Sequence, residues 1–208
     1  MYSQRLADHL SVDRYGDFLL TEAIRPALHV PVVPRQGYRL GRFRHPDSGW
    51  SIPMLAAAVS REQLFEVFYA LVEQLDETVD VILETSHDSI NSEHRDLCRH
   101  CIDRPVLLSY LCEFEKLLLN DGCTGVAVIG GQGTTEVQFD EHKLLVVYAR
   151  DLAPFEGVFR AAGIPRNDRL KLISEGDHLH STEPDFWNQF EQLCQRIGVS
   201  QPVQSVNW

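Results

Sequence analysis

The sequence predicts an α+β domain, with an antiparallel or mixed sheet and helices gathered mainly on one face. Three observations predict it. Two stretches, from Ser60 and from Asp103, repeat apolar residues at spacings of three and four, the period of a half-buried helix. Short runs rich in β-branched and apolar residues follow each of them. The last three runs, TGVAVIG, TEVQFD and KLLVVYA, are joined by links that admit hairpins but no helical crossover.

Taken in order, the first stretch has no clear helical period. HVPVVPRQGYRLGRFRHPDSGWSIP is punctuated by proline and glycine, and Tyr38 to Arg44 can pair with Trp50 to Met54 as an irregular hairpin across HPDSG. Ser60, with Gln63 three residues on, marks a helix start, and Leu64, Phe68, Leu71 and Leu75 form its inner face. Residues 78 to 85, TVDVILET, read as a strand. A helix opens at Asp103 with Pro105 in its first turn, carries Leu107, Leu111, Phe114 and Leu118 inward, and stops near Asn120-Asp121-Gly122. After the three strands, of which 143–149 is apolar on both faces and so central, Asp151 caps a helix that buries Leu152, Phe155, Val158 and Phe159 and ends at Gly163. A short strand is expected at Leu170 to Ile173. Thr182 then caps a last helix bearing Phe186, Phe190, Leu193 and Ile197, closed by Gly198.

The chain of 208 residues, 44% hydrophobic, suffices for one substantial core. No apolar run approaches the roughly 20 residues that cross a bilayer, and MYSQRLADHLSVDRYGDF lacks an export signal, so a cytoplasmic protein without membrane contact is expected. Five cysteines fit reduced thiols, with Cys112 and Cys194 as small core fillers. A net charge of -11 argues against nucleic acid as partner. The charge is uneven. Residues 1–58 hold seven arginines against five acids, a balance of +2, whereas residues 59–208 are strongly acidic. The expected organisation is a mildly basic, extended segment (1–58) packing on an acidic α+β body (59–208), as one domain overall or against a sister chain.

Four motifs carry candidate chemistry. HRDLCRHC, residues 94–101, begins like a kinase catalytic loop, but the metal-holding Asn is replaced by Cys101 and no DFG or phosphate loop accompanies it. Its CxxC is a separate matter. On a helix over residues 93–102, His94, Cys98 and Cys101 would share one face and could ligate zinc or iron. A fourth ligand could come from His87, Cys123 or the pair His178 and His180, which share a face if extended. The competing reading turns Cys98 and Cys101 into the core. GVAVIGGQGTTEV has the glycines of a dinucleotide turn, but a strand follows where the phosphate-binding version needs a helix, so a hairpin connection is expected.

ETSHDS offers His87 as a general base, with Asp88 or Glu84 to orient it or hold a metal; the plainer reading is a solvated loop. Finally, Arg35, Arg39, Arg42 and Arg44 interleave with Tyr38, Phe43 and Trp50. On a strand Arg42 and Arg44 share a face and could grip an anion, against structural ion pairing with the acidic body. The functional expectation is a non-catalytic binding or regulatory domain for a protein or small anionic ligand, as a homo-oligomer and without a cofactor. The alternative is a metal-dependent hydrolase or redox enzyme using zinc or iron at His87, His94, Cys98, Cys101, His178 and His180.

Overall fold

The computed structural model describes residues 2–46, 48–87, 95–199 and 201–202. The elements are α1 (Tyr2–Leu10), β1 (Arg14–Tyr15), β2 (Phe18–Leu19), β3 (Ile24–Pro26), β4 (Gly37–Arg44), β5 (Ser51–Ala58), α2 (Arg61–Val72), β6 (Thr78–Thr85), β7 (Arg95–Asp103), α3 (Arg104–Glu113), α4 (Glu115–Asn120), β8 (Thr124–Gly130), β9 (Thr135–Phe139), β10 (Leu144–Tyr148), α5 (Ala153–Ala161), β11 (His178–His180), α6 (Pro184–Ile197) and β12 (Gln201–Pro202). Eight of the strands form one sheet in the order β12-β7-β6-β8-β9-β10-β5-β4, and each neighbouring pair is antiparallel. This is the α+β architecture that the sequence predicts.

Side-chain alternation divides the sheet into two unlike faces. On one, Val79, Val81 and Leu83 of β6, Val126 and Val128 of β8, Val137 and Phe139 of β9 and Leu145 and Val147 of β10 meet the helices. Those helices contribute Leu64, Phe68 and Leu71 (α2), Leu107 and Leu111 (α3), Phe155 and Phe159 (α5) and Phe186, Phe190, Leu193 and Ile197 (α6). The helical periods read from sequence therefore mark the true inner faces. Truncating a fully enclosed ring such as Phe68 would cost about 3–5 kcal/mol. On the other face, a smaller cluster of Phe18, Leu20, Ile24, Leu170, Leu172 and Ile173 covers Ala56, Ala58 and Leu144.

Several local expectations change. Residues 95–103 form β7, not a helix, because β6 pairs with them along most of their length. The N-terminal residues without a legible period include helix α1. The helix from Asp103 breaks at Phe114 into α3 and α4. Leu170 to Ile173 is not a strand, and a 3-10 turn spans Ile173–Glu175. Ser60 precedes α2 without capping it: its hydroxyl accepts the Leu19 N–H and donates to Glu62, tying β2 to the helix. Cys112 is exposed, whereas Cys194 packs against the main core. The glycine motif does link two strands: a 3-10 turn at Gly131–Gly133 leads into β9, so a strand and not a helix follows the glycines. No helix among the described residues is long and apolar enough to cross a membrane.

Candidate metal centre

The turn between β9 and β10 is a four-residue loop, Asp140 to Lys143. It is closed by backbone bonds between Asp140 and Leu144 and from Lys143 N–H to the Asp140 carbonyl. Lys143 sits at φ +61, the left-handed conformation such a loop needs, and its ammonium turns inward to the Thr124 carbonyl at 2.8 Å. Burial pushes that ammonium down to about 8. With Lys143 inside, His142 stands at the tip of the loop, half-buried.

A second segment meets it. β11 pairs with β3, His178 opposite Pro26 and His180 opposite Ile24, so the two imidazoles project from one side of an extended segment. The chain after α4 passes close beneath: Gly122 N–H donates to the Ser181 carbonyl, and Ser181 N–H donates to the Ala23 carbonyl. A Cβ at residue 122 would lie 2.6 Å from the Ala23 oxygen and 2.8 Å from the Ser181 oxygen. Only glycine permits that approach. Its role is thus to let three backbones meet, more than to stop a helix.

The outcome is a triangle of imidazoles, His142, His178 and His180, with ring centroids 4.9, 5.0 and 5.1 Å apart. One ligand-type nitrogen from each lies within 4.8 Å of the other two. Each ring also has its Nδ1 engaged by an oxygen that can only accept. Nδ1–H of His178 donates to the Gly176 carbonyl at 2.7 Å, that of His180 to the Gly122 carbonyl at 2.7 Å, and that of His142 to the Asp140 carboxylate at 3.3 Å. In the neutral ring this places the lone pair on Nε2 in all three cases. Asp140 holds His142 above the ordinary histidine range, while burial pushes His180 below it, toward the neutral form that ligates metals.

A second polar cluster lies on the other side of Gly122. Asp121, fully buried, accepts a bond from His87 Nε2 at 3.1 Å, another from the Thr124 hydroxyl, and the Cys123 N–H at 3.3 Å. Burial alone would raise its carboxyl, but hydrogen bonds from His87, Thr124 and Thr182 outweigh this and hold it below the usual range. Thr85 completes the cluster: its Oγ1 accepts the His87 backbone N–H and lies 2.8 Å from Nδ1. Both nitrogens of His87 are therefore engaged, and its ring packs on Trp187 and Phe190. Although Cys123 stands close enough to count as a ligand with His87 and Asp121, burial pushes its thiol up, away from the thiolate that binds metal.

The sequence-derived site residues thus separate. His178 and His180 come together, with His142 as a partner the spacing did not reveal. His87 joins Asp121. Asp88 and His94 lie outside the described residues. Cys98 and exposed Cys101 lie on β7, where Asp80 engages His100 Nδ1 at 2.8 Å and the Cys101 N–H at 2.8 Å; Cys101 adopts φ +54 beside an irregularity in the β6–β7 register. Among the described residues neither thiol belongs to a group of three ligand-type side chains. Arg39 is committed to the Glu175 carboxylate at 3.1 Å and to the Leu170 carbonyl at 2.8 Å. Arg42 and Arg44, exposed on edge strand β4, share the opposite face from Arg39, and Arg42 bonds the Ser51 hydroxyl.

Fold and site together define an α+β chain with an imidazole-only cluster at one end of an antiparallel sheet. Comparison with protein-family models, with curated proteins and with solved structures gave no match in any of the three.

Proposed function

We propose that this protein binds a zinc-class divalent metal through His142, His178 and His180, leaving one coordination position for a water molecule or a small anion. The observation that carries this is the common engagement of the three Nδ1–H groups by oxygen acceptors. Metal-bound histidines characteristically donate their second nitrogen to a carbonyl or carboxylate, which fixes the tautomer and aims the ring. Three such ligands are the set of a centre that keeps its fourth position open. Imidazole suits zinc and also iron, copper and nickel, so availability and geometry decide the occupant.

Such a centre unites the two expectations read from sequence, metal use and capture of a small anion. When bound, the metal would lower the pKa of a coordinated water toward 7, the chemistry on which hydrolysis relies. The chain's own part is to hold three lone pairs ready while Lys143 packs inward beneath the loop. We place the protein in the cytoplasm, where the five free thiols would persist.

The test is to load the purified chain with Zn²⁺ or Co²⁺, remove the excess, and measure metal content and the visible spectrum of the cobalt form. One metal per chain with a tetrahedral cobalt spectrum is expected. His178→Ala and His142→Ala should each weaken affinity about a hundredfold, whereas Cys98→Ser should leave it unchanged. Substoichiometric metal in the wild-type chain, or equal retention by the histidine variants, overturns the reading.

A further inference from the structure

At the other end of β9, the sheet face turned away from the helices carries a cleft of about 420 Å³. That is within the range of small-molecule sites. It is bounded by Phe43, Trp50, Tyr148 and Glu136, with the β8–β9 turn at Gly133 and Thr134 forming one rim. Strand register explains the assembly. Gly41, Met54, Tyr148 and Glu136 follow one another across β4, β5, β10 and β9, and Phe43 and Ile52 form the adjacent pair. All these positions alternate away from the helix-covered core.

Three features of the cleft point to one ligand chemistry. Its walls are aromatic and partly open: Trp50 is 49% and Phe43 38% exposed, unusual values for such large rings. Phe43 and Tyr148 meet edge to face, centroids 5.6 Å apart at 80°, so two ring planes form a corner. The counter-charge is negative. Glu136 lies half-buried beside Tyr148 with the Gln138 amide as its hydrogen-bond donor, and among the described residues the lining holds no lysine or arginine. Glu84 and Asp96, paired across β6 and β7, lie on the same sheet face.

The surrounding ionisation agrees. Burial raises the Glu136 carboxyl, and burial followed by Glu136, Asp140 and Glu84 pushes Tyr148 up to about 12. Both groups sit in a desolvated, negative environment, and among the described lining residues His45 is the one side chain that can carry positive charge. Arg42 and Arg44 do not add to it, because strand alternation sends them to the other face of β4.

We propose that this cleft binds a small organic cation of the quaternary ammonium class, with Phe43, Trp50 and Tyr148 as its ring walls and Glu136 as its counter-charge. A bulky, weakly hydrated ammonium satisfies both requirements: its methyl groups fill an apolar corner while its charge meets the ring faces and the carboxylate. A metal ion or primary ammonium would surrender far more hydration on entering. This site is independent of the histidine cluster.

Calorimetric titration with choline tests the assignment against 3,3-dimethylbutan-1-ol, its uncharged isostere. Saturable binding of choline is expected, with the alcohol roughly tenfold weaker or more. Trp50→Ala, a change at an exposed side chain, should weaken choline at least about tenfold. Glu136→Gln should weaken choline severalfold while leaving the alcohol unchanged. His178→Ala should alter neither. Equal affinity for choline and the alcohol, or no saturation by choline, overturns the proposal; thermal melts of each variant establish that the chain remains folded.

Discussion

The two ends of β9 show two ways in which one sheet can prepare a polar task. At the β9–β10 turn, hydrogen bonds do the preparing: every imidazole is pinned through Nδ1, Gly122 is wedged among three backbones, and Asp121 gathers His87, Thr124 and Cys123 around a buried carboxylate. At the β8–β9 turn the preparation is by shape and field: rings in edge contact, and a carboxylate with a single neighbouring amide. The first end should be rigid and sensitive to loss of any one acceptor. The second should tolerate substitution of its walls with little loss of stability, because those side chains are already partly in water.

Substitutions can break or sharpen that contrast. The largest effect belongs to Asp121→Ala, which strands the Thr124 hydroxyl, the Cys123 N–H and His87 inside the protein. A loss of about 3 kcal/mol in urea unfolding is expected, and a loss below about 1 kcal/mol would show that the network is not what holds this end together.

Next comes Glu84, paired with Gly125 at the level of the β9–β10 turn, where burial, reinforced by Asp96, Asp140, Glu136 and Glu141, raises the carboxyl from 4.5 to about 7. The folded chain keeps that proton where the unfolded chain has released it. Stability therefore falls as pH rises from about 4.5 to about 7 and remains reduced above. Glu84→Gln should raise stability by about 1–3 kcal/mol at pH 8 and leave it unchanged at pH 4. Denaturant titrations at the two values check this, and an equal change at both would remove the carboxyl as the cause.

The smallest effect is Asp140→Asn. Weakening the acceptor behind His142 should lower zinc affinity about tenfold, read by competition with a chelator, and return the imidazole toward its ordinary range by NMR titration. Unaltered affinity would mean that the loop, not the carboxylate, aims the ring.

The sequence made part of this legible. His178-x-His180 announces itself because alternation on an extended chain is independent of tertiary context. His142 could not be found that way: it belongs to a hairpin loop, and what brings it to β11 is the pairing of β11 with β3 from the opposite end of the chain. The acceptors behind His178 and His180 are main-chain carbonyls, which leave no mark in a sequence. The helical faces of α2 and α6 were readable for the opposite reason, since a repeated apolar stripe records burial directly. RDLCRHCID fits strand or helix by pattern alone, and its neighbours β6 and β12 decide in favour of the strand. Phe43 and Trp50 stood out as aromatics among arginines. Their actual neighbours, Tyr148 and Glu136, come from strands that only the sheet order places beside them.

The short ladder between β3 and β11 joins the chain's opening to the segment carrying two of the three imidazoles. An ion held by His142, His178 and His180 would tie β11 to the β9–β10 loop and, through the ladder, steady β3, which offers no ligand of its own. It would resist peeling of the first thirty or so residues from the body, and protease digestion with and without chelator would reveal it as a change in where the chain is first cut.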